Sequence, residues 1–389
     1  MKRVFLIVLD SLGAGSLPDA AMYGDEGAHT LKSISKSQKF NIPTLKEMGI
    51  GNIEGLEFLK DEAAPLCAYG RCEEKSAGKD TTTGHWEIAG LALDKPFPTF
   101  PNGFGQDVVD AFCERTGRGI LCNKPYSGTQ VIEDFGEEHI KTGKLIVYTS
   151  ADSVFQIAAH EGVIPREKLY KYCEIARELL QGENGVGRVI ARPFAGEKGS
   201  FKRTDGRHDY SIPPFDETMN DKIKNAGKSV IAIGKINDIF AGKGITQAIP
   251  TTSNENGCDV LEEIMDTDFN GLCFVNLVDF DMVYGHRNDI DGYANALSQF
   301  DIRLEKIISK LRDDDVLVLT SDHGCDPGFK GTDHTREYIP LLVYGKKIKS
   351  ASLGTRKTYA DIGKTICEWL SVPMVKYGES FAKEITERE

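Results

Sequence analysis

The stretch VLVLTSDHGCDPGFKGTDHTREYIPLLVYG, residues 316–345, decides how the rest of the chain is read. It begins and ends on short apolar runs, VLVLT (316–320) and PLLVYG (340–345), and holds two Asp-His pairs between them, Asp322-His323 and Asp333-His334. Only eight histidines occur in the whole chain, so two beside acids in one glycine- and proline-rich segment form a concentration of metal-ligating groups. Each apolar run is too short for a helix and apolar on both faces. That pattern predicts a strand covered by helices on either side.

The same texture recurs at VFLIVL (4–9), LIVYT (145–149), SVIAIG (229–234) and LCFVNLV (272–278), and all six runs read as buried parallel strands. Residues 294–311 set Leu297, Phe300, Leu304, Ile307, Ile308 and Leu311 on one helical stripe, and residues 167–180 do the same with Leu169, Tyr172, Cys173, Ala176, Leu179 and Leu180. Strands alternating with helices predict an α/β fold with a mainly parallel sheet flanked by helices. Acids stand where strands end: Asp10 after the first run, Asp279 and Asp281 after LCFVNLV, Asp322 after VLVLT. In open α/β sheets ligands sit outside the carboxyl ends of strands. A single acid there is often only a helix cap. Three strands delivering acids to one edge predict a site.

The ligand candidates are Asp10, Asp281 with His286 in DFDMVYGH, Asp322, His323 and His334. Carboxylate oxygen and imidazole nitrogen suit hard or borderline divalent ions. Two metals about 3.5–4 Å apart clamp the attacking and leaving oxygens of a phosphoryl group. A set without thiolate suits Mn2+ or Mg2+, with Zn2+ inside the same ligand chemistry. Cys325 is not counted among the ligands, and His29 and His139 are read as structural. The segment GKDTTTGHWE (78–87) predicts a tight turn into a helix N-terminus, which presents backbone N–H groups to an anion. A hydroxyl there becomes a nucleophile when metal coordination lowers its pKa. Spacing alone does not separate Thr81, Thr82 and Thr83.

The chain has 389 residues, more than one core usually supports, so two domains are expected. PFPTFPNGFG (96–105) and YSIPPFDE (210–217) read as connectors, which predicts a core domain of 1–97 and 216–389 with a smaller α/β domain, 98–215, inserted as a cap. The net charge of −12 argues against nucleic acid or an anionic membrane as partner. Residues 186–210 run against that balance, with six basic residues to three acids, and predict a second anion site facing the first. The nine cysteines are scattered without Cys-x-x-Cys spacing and read as reduced thiols of a cytoplasmic protein. The apolar start, Val4 to Leu9, is short for a signal peptide and meets an acid. No later segment approaches the roughly 20 apolar residues of a membrane span.

Several of these segments together, VLDSLGAG, GKDTTTGHWEIAG, YTSADSVFQIAAHE, ARPFAG, RHDY, VDFDMVYGHRND, SDHGCDP with GTDHTREYIPLLVYG, and YADIGKT, resemble the bacterial phosphopentomutases of the alkaline phosphatase superfamily. The resemblance implies an alkaline-phosphatase-like core. It implies that Asp281, His286 and His334 hold one Mn2+ and that Asp10, Asp322 and His323 hold the other, with the Thr81 hydroxyl as a further ligand and phosphoryl acceptor. It matches Asp152, flanked by Ser150 and Ser153, to the contact with the sugar hydroxyls. Arg203, Arg207 and Lys235 are weaker candidates for the phosphate remote from the metals. The activity implied is interconversion of ribose 1-phosphate, or its 2-deoxy form, with the 5-phosphate. A sugar bisphosphate, glucose 1,6-bisphosphate or ribose 1,5-bisphosphate, is the implied activator. Small sugar phosphates are then the partners, and no protein partner is evident. The rival readings are a phosphatase or cofactor-independent phosphoglycerate mutase of the same superfamily and, from another class, a non-catalytic sugar-phosphate sensor.

Overall fold

The computed structural model describes residues 2–150 and 152–386. By their contacts these form two units: residues up to Lys95 together with those from Pro214 onward, and the inserted segment Pro96–Pro213. The first unit opens with β1 (Arg3–Leu9) and β2 (Ala68–Cys72). The inserted segment holds β3 (Ile120–Pro125), β4 (Leu145–Thr149), β5 (Val154–His160), β6 (Arg188–Ala195), β7 (Lys202–Arg203) and β8 (His208–Ser211). The first unit resumes with β9 (Ser229–Ile233), β10 (Gln247–Ile249), β11 (Gly271–Leu277), β12 (Asp315–Thr320), β13 (Ile339–Tyr344) and β14 (Ser352–Arg356).

The strands of the first unit make one sheet in the order β10-β9-β11-β1-β12-β13-β2-β14. From β10 to β12 all neighbours are parallel. Every residue of β1, β11 and β12 is buried, which is why these stretches are apolar on both faces. Phe5, Ile7 and Leu9 share a core with Leu297, Phe300, Leu304 and Ile307 of the Ile290–Lys310 helix. That helix starts earlier than its apolar stripe because Asp289 caps it, accepting from the amide of Gly292.

The parallel expectation fails for residues 340–345. β13 runs antiparallel to both β12 and β2. The chain between β12 and β13 contains no helix, and a return without a crossover leaves antiparallel pairing. At the end of the sheet where β1 and β12 begin, Arg3 and Asp315 are buried together, with Nη2 2.5 Å from Oδ2 and Nε 2.8 Å from Oδ1. This acid is fully partnered, unlike those at the opposite edge.

The sheet of the inserted unit runs β3-β4-β5-β6-β7, and β8 also pairs with β6. β4 is parallel to β3 but antiparallel to β5, a second departure from the all-parallel expectation. Only residues 150–153 join β4 to β5, too few for a crossover. One sheet face buries Phe112, Val147, Phe155 and Ala191 against Leu169, Cys173 and Ala176 of the Arg166–Leu179 helix. The other buries Ile146, Ala158, Phe194 and Phe201 against Val131 and Ile132 of the Gln130–Thr142 helix. Among the described residues, no helix is long and apolar enough to cross a membrane.

Candidate metal centre

Three neighbouring parallel strands of the first unit end at this site. Asp10 follows β1, Asp322 and His323 lie just past β12, and Asp281 sits in a single π-helical turn, Phe280–Tyr284, after β11. Such turns recur at functional sites because the extra residue swings a side chain out of helical register. Asp281 lies between two imidazoles: its Oδ2 is 3.2 Å from His286 Nε2 and its Oδ1 3.4 Å from His334 Nε2. His323 Nε2 is 3.5 Å from Asp10 Oδ1, 3.3 Å from Asp322 Oδ2 and 3.1 Å from Thr81 Oγ1. Two ligand groups result, Asp281 with His286 and His334, and Asp10 with Asp281 and His323, the atoms of each within 4.8 Å of one another. The second differs from the expected trio of Asp10, Asp322 and His323. Asp281 reaches into it, while Asp322 accepts from the Ser11 amide on Oδ1 at 3.1 Å and turns Oδ2 toward His85 Nδ1, also at 3.1 Å.

The ring orientations are fixed from behind. His323 Nδ1 meets the carbonyl of Gly324 at 3.0 Å and His286 Nδ1 that of Thr332 at 2.6 Å. A carbonyl accepts only, so each Nδ1 carries the proton and each Nε2 presents its lone pair to the site.

Thr81 begins the Thr81–Ile88 helix, and Asp80 caps it by accepting from the amides of Thr82 and Thr83. The Thr83 hydroxyl donates to Asp80 Oδ2 at 2.5 Å, and Thr82 and Thr83 are both buried. Of the three threonines, the hydroxyl beside the ligand cluster is that of Thr81.

Electrostatics set this edge apart. Asp10, Asp281 and Asp322 are all buried, yet Asp10 Oδ1, Asp281 Oδ1 and Asp322 Oδ2 have no hydrogen-bond donor. Burial, then the charges of Asp322 and Asp281, push the Asp10 carboxyl well above its ordinary range. Burial opposes ionisation of Asp281 too, but His334, His286 and His323 outweigh it and hold that carboxyl well below the usual value. For Asp322 burial is likewise outweighed, by His323 and His85, and the net direction is down. Buried like charges without donors are unfavourable unless a cation sits among them. The donor set is oxygen and nitrogen only. Cys325 belongs to neither group; its Sγ faces the Asp333 carbonyl at 3.7 Å, and burial pushes its thiol up. The residues present fit a divalent metal centre.

Three supporting residues escaped the sequence reading. His85 lies one turn from Thr81, with Nδ1 2.9 Å from the Thr81 carbonyl and 3.1 Å from Asp322 Oδ2. Asn276 Nδ2 donates to Asp10 Oδ2 at 2.7 Å and lies 3.4 Å from His85 Nε2, so one buried chain of contacts ties Asp10 to Asp322. Arg336 is 2% exposed and bonds Glu74 Oε2 at 2.6 Å, the Ser76 carbonyl at 2.9 Å and that of Gly78 at 2.5 Å. It thereby fastens the segment leading into Thr81 to the loop that carries His334. The available signals were helical i, i+4 spacing for His85, a lone polar residue in an apolar run for Asn276, and for Arg336 only its nearness to His334 in sequence.

Other singled-out residues have local partners. Asp279 accepts from the Asn254 amide at 2.7 Å as a helix-end contact, and Asp333 pairs with Lys79 at 3.4 Å. His29 and His139 bond backbone groups. In the inserted unit, exposed Asp152 lies 3.8 Å from Arg188 and its amide meets Ser150 Oγ at 3.3 Å. The Ser153 hydroxyl donates to the Pro98 carbonyl at 2.5 Å and accepts from the Gly187 amide at 3.2 Å. Arg203 and Arg207 belong to that unit, whereas Lys235 follows β9 in the first unit, 3.7 Å from Met282 Sδ.

Residues 2–374 match the family model of the metalloenzyme superfamily. A phosphopentomutase of Lachnoclostridium phytofermentans is 58% identical over 386 residues, covering 99% of this chain and 99% of the relative. One of Acetivibrio thermocellus is 57% identical, covering 99% of this chain and 100% of the relative. The chain belongs to the phosphopentomutase family. It is an enzyme, an isomerase of the metalloenzyme superfamily, and it uses divalent metal. Among solved structures, the PH0037 protein from Pyrococcus horikoshii aligns with a TM-score of 0.51 at 14% identity, covering 97% of this chain and 99% of its own. A phosphoglycerate mutase of Leishmania mexicana aligns with a TM-score of 0.50 at 13% identity over 97% of each chain. These two likenesses establish the fold alone.

Proposed function

We propose that the chain interconverts ribose 1-phosphate and 2-deoxyribose 1-phosphate with their 5-phosphates, in nucleoside catabolism, through a phosphothreonine at Thr81. The observation that carries this reading is the Thr81 hydroxyl, 3.1 Å from His323 Nε2 and beside three buried carboxylates whose inward oxygens lack donors. Full-length identity to phosphopentomutases favours it over a phosphatase or a phosphoglycerate mutase of the same fold.

Asp281, His286 and His334 would hold one ion, and Asp10, Asp322 and His323 the other, with Mn2+ as the proposed metal. When bound, such ions offset the charge of a transferring phosphoryl group and lower the pKa of a nearby hydroxyl. The remaining steps belong to the chain and the sugar. A free sugar hydroxyl attacks the phosphorus on Thr81: the new P–O bond forms, the bond to Thr81 Oγ1 breaks, and Thr81 Oγ1 takes up the hydroxyl proton. The product is a sugar bisphosphate. Thr81 Oγ1 then attacks its other phosphorus, and the departing sugar oxygen takes up a proton. Asp80, by capping the helix, keeps Thr81 at its first turn. Glucose 1,6-bisphosphate or ribose 1,5-bisphosphate would charge Thr81 at the start.

In the inserted unit, Asp152, with Ser150 and Ser153 at its turn, is the proposed contact for sugar hydroxyls. Arg203, Arg207 and Lys235 supply positive charge for the remote phosphate. Returning the phosphoryl group to sugar requires that water be kept out, the task proposed for the inserted unit as a cap. The cytoplasm is the proposed compartment.

The test is intact mass after treatment with glucose 1,6-bisphosphate, with and without Mn2+. One phosphate gained, absent in Thr81→Ala and discharged by ribose 5-phosphate, is the expected result. No gain in the wild type, or a gain that survives Thr81→Ala, overturns the assignment.

A further inference from the structure

The segment VLDSLGAG contains one residue whose conformation its neighbours must hold in place. The Leu12 amide donates to the Leu9 carbonyl at 3.1 Å, closing a tight turn directly after β1 with Asp10 and Ser11 at its centre. Ser11 takes the third position with φ at +68°, where such a turn ordinarily uses glycine. It is fully buried. Of the described non-glycine residues with positive φ, it alone directly follows a candidate metal ligand. A side chain kept in the left-handed region at such a place points to a task that glycine would not perform.

The Ser11 amide donates to Asp322 Oδ1 at 3.1 Å, and the Ser11 carbonyl accepts from the Cys325 amide at 3.2 Å. The turn thus clasps the loop after β12 from both sides of one residue. The Ser11 hydroxyl lies 3.1 Å from Tyr293 Oη, which is itself 3.4 Å from the Asp10 carbonyl. A carbonyl only accepts, so Tyr293 donates to Asp10 and Ser11 donates to Tyr293. Tyr293 stands in the first turn of the Ile290–Lys310 helix and is fully buried. Burial pushes its hydroxyl well above the ordinary range, so it stays a neutral donor. Its ring stacks on Phe280, 5.5 Å between centroids and 27° between planes. Phe280 directly precedes Asp281 in the π-helical turn. One tyrosine therefore backs Asp10 through its carbonyl, Asp322 through Ser11, and Asp281 through Phe280.

We propose that Ser11 and Tyr293 are positioning residues of the metal centre: their paired hydroxyls hold the left-handed turn that sets Asp10 and aims the Ser11 amide at Asp322. The inference rests on the metal reading of the site and adds residues that act through its ligands. The hydroxyl pair serves the Asp10 group first, since the Phe280 stack needs only the ring of Tyr293.

Calorimetric titration of the metal-free full chain with Mn2+ tests this in two variants. Tyr293→Phe keeps the ring and its stack, and Ser11→Gly keeps the turn and loses the hydroxyl. Each should weaken one of two Mn2+ binding events by about three- to tenfold, the effect of one lost hydrogen bond, and leave the other unchanged. The double variant should lose no more than Tyr293→Phe alone, because both changes remove the same bond. Without metal, Ser11→Gly should unfold at a temperature close to wild type, since glycine's ease in the left-handed turn offsets the lost bond. At limiting Mn2+ both variants should lose kcat while KM for ribose 5-phosphate holds. Unchanged Mn2+ affinity in both single variants overturns the proposal and leaves the metal reading standing. Equal weakening of both events in step with a lowered unfolding temperature marks general support of the fold and overturns it too, as do fully additive losses in the double variant. A wild type that binds no Mn2+ brings down the metal reading itself, and this inference with it.

Discussion

Asp10 and Asp315 are both buried acids flanking apolar strands, Asp10 just past the end of β1 and Asp315 at the start of β12, and they differ in how they are met. Asp315 is met by Arg3 on both oxygens, whereas Asp10 receives Asn276 on Oδ2 and nothing on Oδ1. The missing donor is what marks a carboxylate as a ligand, and it predicts the metal count. Under the proposed assignment, wild type should bind two ions per chain, and His286→Ala and Asp322→Asn one each. Elemental analysis of purified protein checks this, and two ions retained in either variant would break the two-site assignment. The raised Asp10 pKa gives a second expectation. Its direction means that, without metal, the proton persists to higher pH than on an ordinary carboxylate, so a cation must displace it. Affinity should therefore rise with pH until Asp10 ionises, then level, with proton release on Mn2+ addition to weakly buffered protein at the lower pH. Release that is independent of pH would contradict it. The acids and imidazoles of this site were legible because they follow strands or sit in one loop. His85 and Asn276 were not, since their work is to orient other side chains and depends on contacts across the sheet.

At the level of elements, the site depends on how closely the Thr81–Ile88 helix approaches β12. Buried Glu87 accepts from the Lys75 and Ser76 amides and from Thr358, and Arg336 grips the same 74–78 segment from the other side. Gly84 sets the approach. A Cβ there would lie 2.0 Å from the Asp322 carbonyl oxygen, a backbone atom with little freedom to yield. Gly84→Ala should therefore push the helix off the strand end, at a cost of about 1–3 kcal/mol, and carry Thr81 away from His323. Thermal unfolding and phosphothreonine yield test the two effects together. A variant that loses neither would mean that the contact is not tight. Strand positions were readable from apolar runs, but the directions of β13 and the β4–β5 pair were not. Those are set by connections whose course lies in loop geometry, which hydrophobic pattern does not record.

The chain as a whole is acidic, at −12, while residues 186–210 within the inserted segment carry six basic residues against three acids. Which of the basic residues converge was hidden, because Arg192 and Arg203 meet Tyr148 through strand register and through a loop at Gly128 far away in sequence. The Pro- and Phe-rich connectors lie where contacts divide the chain, before Pro96 and after Pro213. Between them the segment buries apolar side chains on both faces of its own sheet, Phe112, Val147 and Phe155 on one side, Ile146, Phe194 and Phe201 on the other. A segment of roughly 120 residues with its own core is large enough to fold alone. Expressed by itself, Pro96–Pro213 should unfold in one cooperative step in urea, with the same midpoint by far-UV circular dichroism and by tyrosine fluorescence. A gradual, non-cooperative loss of signal would show that the segment needs the rest of the chain to hold its fold.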